Sequence, residues 1–555
     1  MEAVEKKRGT VALNLSKNVN LYLKVCAAVV LVCAFLLTFT LSDYYIFNRI
    51  GYGENKYGFF FCLSQWAKKA GVIMITLTVF FNVRRCGDCV KYFLPLFVIL
   101  SACLFGVNGF FDAEVIVADG DINGEIFKSL NDFFPKWLNM TLFFIENIAL
   151  LACCALLFFR DGYKVKPDCF IGIPVGMLMA MPLNIFENFF DINNFSRDGF
   201  FWFKNFTIWH FLAICELVGM SVGWYFFLRK KSREVQDKYL AGLAVMLLLQ
   251  YHSKDSMVLG DGYNVYNTIF ACLPLFICNI GVYIASFSVI FKKKFLYAAS
   301  FFVHAVGALT VFVYFGKNEM SNYGIFFSYS ILYFCMTHYT LFALCVLPSA
   351  LGHYKFKLKD CFAPLVYYFA VIIAASLMSG VVSSISTTWT TADGQHLIYD
   401  NFLVLGLMEG GSGVGDAGYM MPNYAFTQNC PLPVNLPWPI KIGGFMSYIN
   451  LFYVALVYIA YVCLFFAFFG AYNVYLIVLG KVRRKLSARA GSASAEQVPS
   501  GTPVILQAET AATEVAATEV ETAEVVSEAT ETAATDADGK GEAPPEKEGE
   551  TDETI

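Results

Sequence analysis

Charged residues are scarce in this 555-residue sequence. Asp, Glu, Lys and Arg make up 15% of it, whereas soluble domains carry about 25%. Hydrophobic residues reach 57%, and the mean hydropathy is +0.56. A water-soluble core could not hide so much apolar surface. The composition therefore excludes an ordinary soluble protein, and most of the chain must face lipid.

Aromatic residues are absent from the end of the chain. Residues 491–555 contain no Phe, Tyr or Trp, and they carry 16 Asp and Glu against 2 Lys. Such a segment cannot form a core. We therefore predict a disordered acidic tail over residues 486–555.

Metal-binding patterns are also rare. The chain has 6 His, and no helix carries a His-x-x-x-His pair. The one CxxC, Cys86-Gly-Asp-Cys89, lies in an inner loop without further ligands, although zinc remains the main chemical alternative for Cys and His residues. Other Cys residues lie mostly in apolar runs, where they act as small hydrophobes. We predict no metal or other cofactor, and no nucleic-acid binding because the basic residues are spread over the loops.

Long apolar runs dominate what remains. A helix needs about 20 apolar residues to cross a bilayer. The seventh run, Tyr239–His252, has the weakest signal. The predicted helices lie at 20–42, 69–83, 92–108, 139–159, 169–190, 207–228, 238–252, 267–290, 295–315, 323–347, 361–384 and 446–480.

Lys and Arg mark alternate loops, as they do on the cytoplasmic side of membrane proteins. They precede the first helix and follow every even-numbered one, whereas the intervening loops are acidic or nearly neutral. Removing the weak seventh helix would break this alternation. We therefore predict an all-α, polytopic protein of the cell membrane with about 12 transmembrane helices and both termini in the cytoplasm.

Short motifs recur in the two halves of the chain. Cys62-Leu-Ser leading to Gly71-Val resembles Cys272-Leu-Pro leading to Gly281-Val. Both a 6+6 tandem repeat and chance similarity among apolar helices fit this observation. A true repeat would place Cys278 and His338 where the first copy has Lys68 and Leu142.

Three regions follow from these patterns. Residues 1–204 form N-terminal membrane helices that are a candidate degenerate repeat, and residues 205–485 form a second membrane domain. The second domain includes a long outer loop at 385–445, where Leu436-Pro-Trp-Pro439 suggests a re-entrant or interfacial plug. The acidic tail is the third region.

Ionisable residues inside predicted spans are functional candidates, because they are costly in hydrocarbon. We favour a structural role for Glu187 and His210, which lie near outer helix ends. The candidates are Glu146, Glu187, His210, Glu216, His304 and His338.

Cys278, His304 and His338 should all lie near the middle of the membrane, since a helix rises about 1.5 Å per residue. A thiol and an imidazole in contact can act as a nucleophile and its base. Most buried Cys residues are nevertheless inert, so the spacing by itself is compatible with ordinary packing.

Residues 205–480 resemble the YwaF-type bacterial multi-pass membrane proteins, which are related to the transmembrane protein 164 acyltransferases. The family signature Leu-Pro-Leu-His-Leu-Cys-Asp is similar to Leu273-Pro-Leu-Phe-Ile-Cys-Asn279 here. Further similar motifs occur in the family order at Phe206–His210, Gly307–Leu309, Thr337–Tyr339 and Asn423–Phe426.

This resemblance implies Cys278 as the nucleophile and His338 as the base of an acyl-enzyme mechanism. The family His and Asp of the signature are Phe276 and Asn279 in this chain, which puts that chemistry in question. Around the pair, the predicted substrate-binding residues are His304, Asn279, Asn423 and Tyr424, of which His304 has no counterpart in the family.

The leading interpretation is a lipid acyltransferase or acyl hydrolase that uses an intramembrane Cys-His pair on a phospholipid or another acyl donor. A proton-coupled transporter is the alternative, favoured by the number of spans, the candidate repeat and the acids Glu146 and Glu216. A non-catalytic membrane scaffold that recruits partners through its acidic tail is the third. The sequence indicates no oligomeric state.

Overall fold

The computed structural model describes residues 2–38, 56–105, 135–161, 169–181, 203, 205–258, 277–313, 326, 329–371, 373–374, 437–442 and 445–496. Within these residues the chain is helical apart from one two-stranded hairpin. It divides into two compact units, Met1–Asn473 and Val474–Ile555. Asn423 and Tyr424, two predicted substrate-binding residues, lie outside the described residues, as does Glu187.

In the N-terminal half (residues 1–204), the first four helices pack side by side. The first packs on the fourth, and the second and fourth pack on the third. Their bounds are α1, Glu2–Thr38; α2, Lys56–Val79; α3, Arg84–Leu104; α4, Lys136–Arg160; and α5, Cys169–Met179.

The described residues of the C-terminal half (residues 205–473) are also mostly helical, and they include a helix at 362–371. A π-helical turn, Ser300–His304, interrupts one of its spans between α9 and α10. The bounds are α6, Ile208–Leu228; α7, Arg233–Val258; α8, Ile277–Phe291; α9, Lys294–Ala299; α10, Ala305–Val313; α11, Tyr329–Ala350; and α12, Leu451–Glu496, which continues past the half.

Seven helical segments of the described chain are long and apolar enough to cross a membrane. The prediction of a multi-pass helical membrane protein is thereby confirmed, and every predicted span overlaps helical residues in the described part of the chain. The seven segments are Asn18–Leu37, Arg84–Leu104, Lys136–Arg160, Ile208–Leu228, Lys294–Phe312, Tyr333–Ala350 and Tyr458–Val478.

Helix α7, the weakest predicted span, lies in the middle of the protein. Every residue from 240 to 250 is buried. The helix packs on α2, α3 and α5 of the N-terminal half and on α8 and α11 of the C-terminal half. A helix that is apolar on all sides is expected to be enclosed by others, and α7 is so enclosed.

Several predicted boundaries are wrong. Helix α3 begins at Arg84 rather than 92, so Cys86 and Cys89 lie in this helix and not in a loop. The last helix runs to Glu496 rather than 480, so residues 486–496 of the predicted disordered tail are helical. Helix α2 begins at Lys56 rather than 69, because the helix continues through Lys68 and Lys69. The last helix begins at Leu451 rather than 446, because Pro437–Ile442 and Phe445–Asn450 pair as antiparallel strands β1 and β2. This short hairpin precedes the final span, and the re-entrant or interfacial plug stays a prediction.

The α2–α3 and α8–α9 connections have the same local geometry. Asn82 and Lys292 both adopt the left-handed conformation, with φ of 55° and 54°. Non-glycine residues adopt it rarely. The residues just before them, Phe81 and Phe291, contact each other with ring centroids 5.7 Å apart. The two hairpins therefore meet at their turns.

Each hairpin also has one glycine pressed against its second helix. A Cβ on Gly71 would lie 2.5 Å from Leu94 Cδ1, and a Cβ on Gly281 would lie 2.9 Å from His304 Nδ1. Only glycine permits so close an approach. Equivalent close contacts thus hold both hairpins together, with Leu94 in one and His304 in the other.

Candidate functional site

The N-terminal half contains a buried ion pair near the middle of two helices. Lys68 Nζ of α2 lies 2.7 Å from Glu146 Oε2 of α4, and the two side chains are only 2% and 4% exposed. Glu146 belongs to the candidate span Lys136–Arg160. A charged pair is therefore enclosed by apolar helices, far from either chain turn.

Further polar groups surround Lys68. Its ammonium donates a hydrogen bond to Gln65 Oε1 at 3.2 Å, and Gln65 Nε2 donates to Ser101 Oγ of α3 at 2.8 Å. The Lys68 nitrogen also lies 4.4 Å from the centroid of the Phe143 ring, a distance at which the ring face attracts a cation. Lys68 consequently has partners besides Glu146.

Asn147 follows Glu146 on α4 and is 3% exposed. Neither its Nδ2 nor its Oδ1 has a hydrogen-bond partner among the residues that the structure describes. Burying an unpaired amide costs free energy, so these two atoms can bind a polar ligand.

Lys68 was missed as a site residue by the sequence analysis. The pair Lys68-Lys69 resembled a helix end, because a hydropathy scale counts each lysine as charged whether or not an acidic partner neutralises it. A signal was nevertheless present: Glu146 lies mid-span, and a carboxylate there needs a cation at a similar depth.

The C-terminal half has an uncharged polar cluster around Cys278, the second residue of α8. Cys278 lies within electrostatic range of Tyr461 of α12, whose hydroxyl also neighbours Thr310 of α10 and Tyr368. Asn279, the next predicted binding residue, is half-buried. Hydroxyl groups and a thiol therefore line this region.

His304 ends the π-helical turn and is 1% exposed. Its Nε2 lies 3.1 Å from the Tyr367 hydroxyl, and its Nδ1 faces Gly281 of α8. Gly281 is three residues after Cys278, so the structure brings the imidazole of His304 to the helix of the predicted nucleophile. Short π-helical turns occur frequently at functional sites.

His338, the predicted base, lies on α11 and is 7% exposed. Its Nδ1 is 2.7 Å from the carbonyl oxygen of Phe334 one turn earlier. Because a carbonyl only accepts, Nδ1 carries the proton and Nε2 is the basic nitrogen of the neutral ring. Helix α11 packs on both α8 and the π-helical turn, and the Cys278–His338 pairing itself stays a prediction.

Glu216 and His210 of α6 differ in their surroundings. His210 Nδ1 accepts from the Phe206 amide at 2.9 Å, and its Nε2 bonds the Phe312 carbonyl at 2.7 Å. The structural role predicted for His210 is confirmed. Glu216 Oε2 accepts a hydrogen bond from the Tyr339 hydroxyl at 2.9 Å, while its residue is exposed on the helix surface.

Ion pairs also join the basic ends of the helices. Asp237 pairs with Lys292, and its Oδ1 lies 3.2 Å from His353 Nδ1. Burial alone would raise the pKa of Asp237, but hydrogen bonds from His353 and Lys292 and the charge of Lys292 lower it overall. Asp161 behaves similarly, since Lys91 and Arg160 outweigh burial and lower its pKa.

Within the described part of the chain, no group of three or more His, Cys, Asp or Glu residues could hold a metal ion. No family model, no curated protein and no solved structure matches the chain. What this multi-pass membrane protein does must therefore be argued from the two polar centres themselves.

Proposed function

We propose that this protein is a membrane carrier that moves a small organic anion together with a proton. The buried pair Lys68–Glu146, at 2.7 Å and almost without exposure, carries this proposal. The proton binds Glu146 and the anion binds Lys68. The two bound ions thus replace the ion pair between the side chains, and the total charge of the site does not change.

The energetics of buried ions favour such a role. A buried pair seldom stabilises a protein more than apolar side chains of the same shape, whereas removing one partner is strongly destabilising. Ionisable residues among membrane helices are therefore functional candidates by default. Lys68 and Glu146 each neutralise the charge of the other. When either one loses its charge, the other can bind a ligand.

The neighbours of the pair suit this exchange. Once a proton neutralises Glu146, Lys68 keeps the Gln65 oxygen and the Phe143 ring as partners. The unpaired amide of Asn147 can supply a donor and an acceptor to the incoming solute. A small carboxylate would then be bound by an ammonium and an amide.

The two hairpins support the carrier architecture and the tandem repeat. The two left-handed turn residues are 210 positions apart in the sequence. The same interval separates the two closely packed glycines, and also the two residues that they contact. Phe81 and Phe291, separated by the same interval, contact each other. A parallel repeat would place such residues on its symmetry axis, and many carriers are built from parallel repeats about an axis along the membrane normal.

Topology completes the proposal. The basic turns at Asn82 and Lys292 belong to the loops that the charge pattern assigns to the cytoplasm. We infer twelve spans, a location in the cell membrane and cytoplasmic termini. Cysteine-scanning accessibility from each side of intact cells tests these assignments.

Proteoliposomes that enclose a pH-sensitive dye test the carrier directly. A panel of small mono- and dicarboxylates is added outside under an inward proton gradient. We expect at least one anion to accelerate internal acidification with the wild type and with Cys278→Ser, but not with Glu146→Gln. The proposal is contradicted if folded wild-type protein gives no anion-dependent acidification with any member of the panel.

Acyl transfer is the second candidate, favoured by the approach of His304 to the Cys278 helix and by the basic Nε2 of His338. The resemblance to YwaF-type proteins supports the same candidate. Labelled phospholipid offered to purified protein should lose or transfer its acyl chain, and Cys278→Ser and His338→Ala should abolish this turnover. Turnover at the wild-type rate in both variants would end this candidate, and so would the absence of turnover in the wild type.

A further inference from the structure

Glu216 is an ionisable residue on the outer surface of a membrane helix. It is the ninth residue of the 21-residue span Ile208–Leu228 and is exposed. Its neighbours on that surface, Gly219 and Gly223, have open space around them, with no atom within 4 Å of an added Cβ. Glu216 therefore lies on the exposed surface of this candidate span, about midway along it.

Few groups accompany this carboxyl. From α11, the Tyr339 hydroxyl donates to Oε2 at 2.9 Å, and the Cys335 thiol interacts with both residues. Helix α10, which also packs on α6, has no ionisable side chain in Ala305–Val313. On α6 itself, His210 is held by Phe206 and Phe312. Among the described residues no cation faces Glu216, in contrast to Glu146.

We propose that Glu216 is a proton-binding site open to the lipid phase, which the carrier proposed above would have in addition to its coupling site at Glu146. An ionised carboxylate in the middle of a bilayer costs at least about 2.5 kcal/mol. With no cation beside it, the group is stable there only as the neutral acid. Tyr339 orients that acid by donating to one oxygen. This inference rests on the proposed function for its role, but not for the existence of the site.

Dicyclohexylcarbodiimide provides a test, because this apolar reagent enters lipid and reacts with protonated carboxyl groups. The acid O–H adds across one C=N bond, the proton moves to nitrogen, and the acyl group migrates to give an N-acylurea. No atom leaves, so the labelled peptide gains the mass of the whole reagent. Wild-type protein in lipid nanodiscs is treated, digested and measured by mass spectrometry.

We expect label on Glu216 that declines as the pH rises, and none on Glu146, which is paired with Lys68 and 4% exposed. Glu216→Gln should lose the label, and Tyr339→Phe should change its rate without removing it. A merely structural carboxyl would remain unlabelled at every pH. Equal labelling of the two glutamates would also overturn the proposal, because lipid access would then not distinguish them.

A second copy of the chain covering this face is the contrary outcome. In that case Glu216 stays unlabelled, and exposed Cys215 cross-links to its counterpart under mild oxidation. The labelling does not depend on transport. Label on Glu216 without anion-dependent acidification would support the proton-binding site and contradict the proposed carrier. Acidification without label would support the carrier and contradict the proton-binding site.

Discussion

The two halves of this protein use related hairpins to support different chemistry. In the N-terminal half, a glycine packs on Leu94 and the polar centre is an ion pair. In the C-terminal half, the corresponding glycine packs on His304, and the centre consists of a thiol, imidazoles and hydroxyl groups without a fixed charge pair among the described residues.

The difference shows what each centre can do at neutral pH. Lys68 and Glu146 neutralise each other, so either is released only when a proton or an ion replaces its partner. The hydroxyl and imidazole groups near Cys278 can donate or accept hydrogen bonds without such a replacement. We therefore assign ion coupling to the first centre, and binding or acyl chemistry to the second.

The largest predicted effect is on the ion pair. Lys68→Met or Glu146→Leu alone should lower stability by about 3–5 kcal/mol, because each leaves an unpaired buried charge. The double variant Lys68→Met/Glu146→Leu should recover most of this loss. Unfolding in detergent with rising denaturant measures all four proteins, and a double variant as unstable as the worse single variant would contradict the comparison.

Next in size is a test of the two pressed glycines. Gly281→Ala should cost about 1–3 kcal/mol, since the new methyl group meets a ring held by Tyr367. Gly71→Ala should cost less, because the nearest atoms are the ends of a flexible leucine side chain. The ranking is checked by thermal unfolding in the same detergent, and the reverse order would show that His304 is loosely held.

Much of the fold was predictable, because helix positions depend on apolar runs that hydropathy detects. The start of α2 was not, since the ion pair that permits Lys68 inside a helix depends on a residue 78 positions away. Neither the π-helical turn before His304 nor the position of α7 was predictable either, because both depend on packing between helices. His210 was interpreted correctly, as its place near a helix end already indicated a structural partner.

Acid should lower the stability that the ion pairs of Asp161 and Asp237 contribute at the basic helix ends. The loss should be larger for Asp237, in the C-terminal half. A carboxyl whose pKa is lowered on folding stabilises the folded state above its unfolded pKa, and that stability is lost as the pH falls through the folded value. The contributions of Asp237 and Asp161 should be complete above about pH 5 and decline below about pH 4. Asp237→Asn should flatten this decline more than Asp161→Asn, since Asp237 joins α7 to Lys292 and His353.

The smallest predicted effect is that of Tyr339→Phe, which removes the hydrogen bond to Glu216. Hydrogen bonds between membrane helices average about 0.6 kcal/mol, so the melting temperature should fall slightly. Tyr333→Phe serves as a matched control, because Tyr333 is also on α11 and its hydroxyl donates to the Tyr251 carbonyl of α7. A loss above about 2 kcal/mol for Tyr339→Phe alone would indicate an ionised Glu216 that depends on this donor.

The most direct test of the account is proton-coupled anion uptake by the double variant Lys68→Met/Glu146→Leu. The account predicts a protein of nearly wild-type stability that gives no anion-dependent acidification of the vesicle interior. Wild-type acidification by this variant would contradict it, because the ion pair would then be a feature of packing and not of transport.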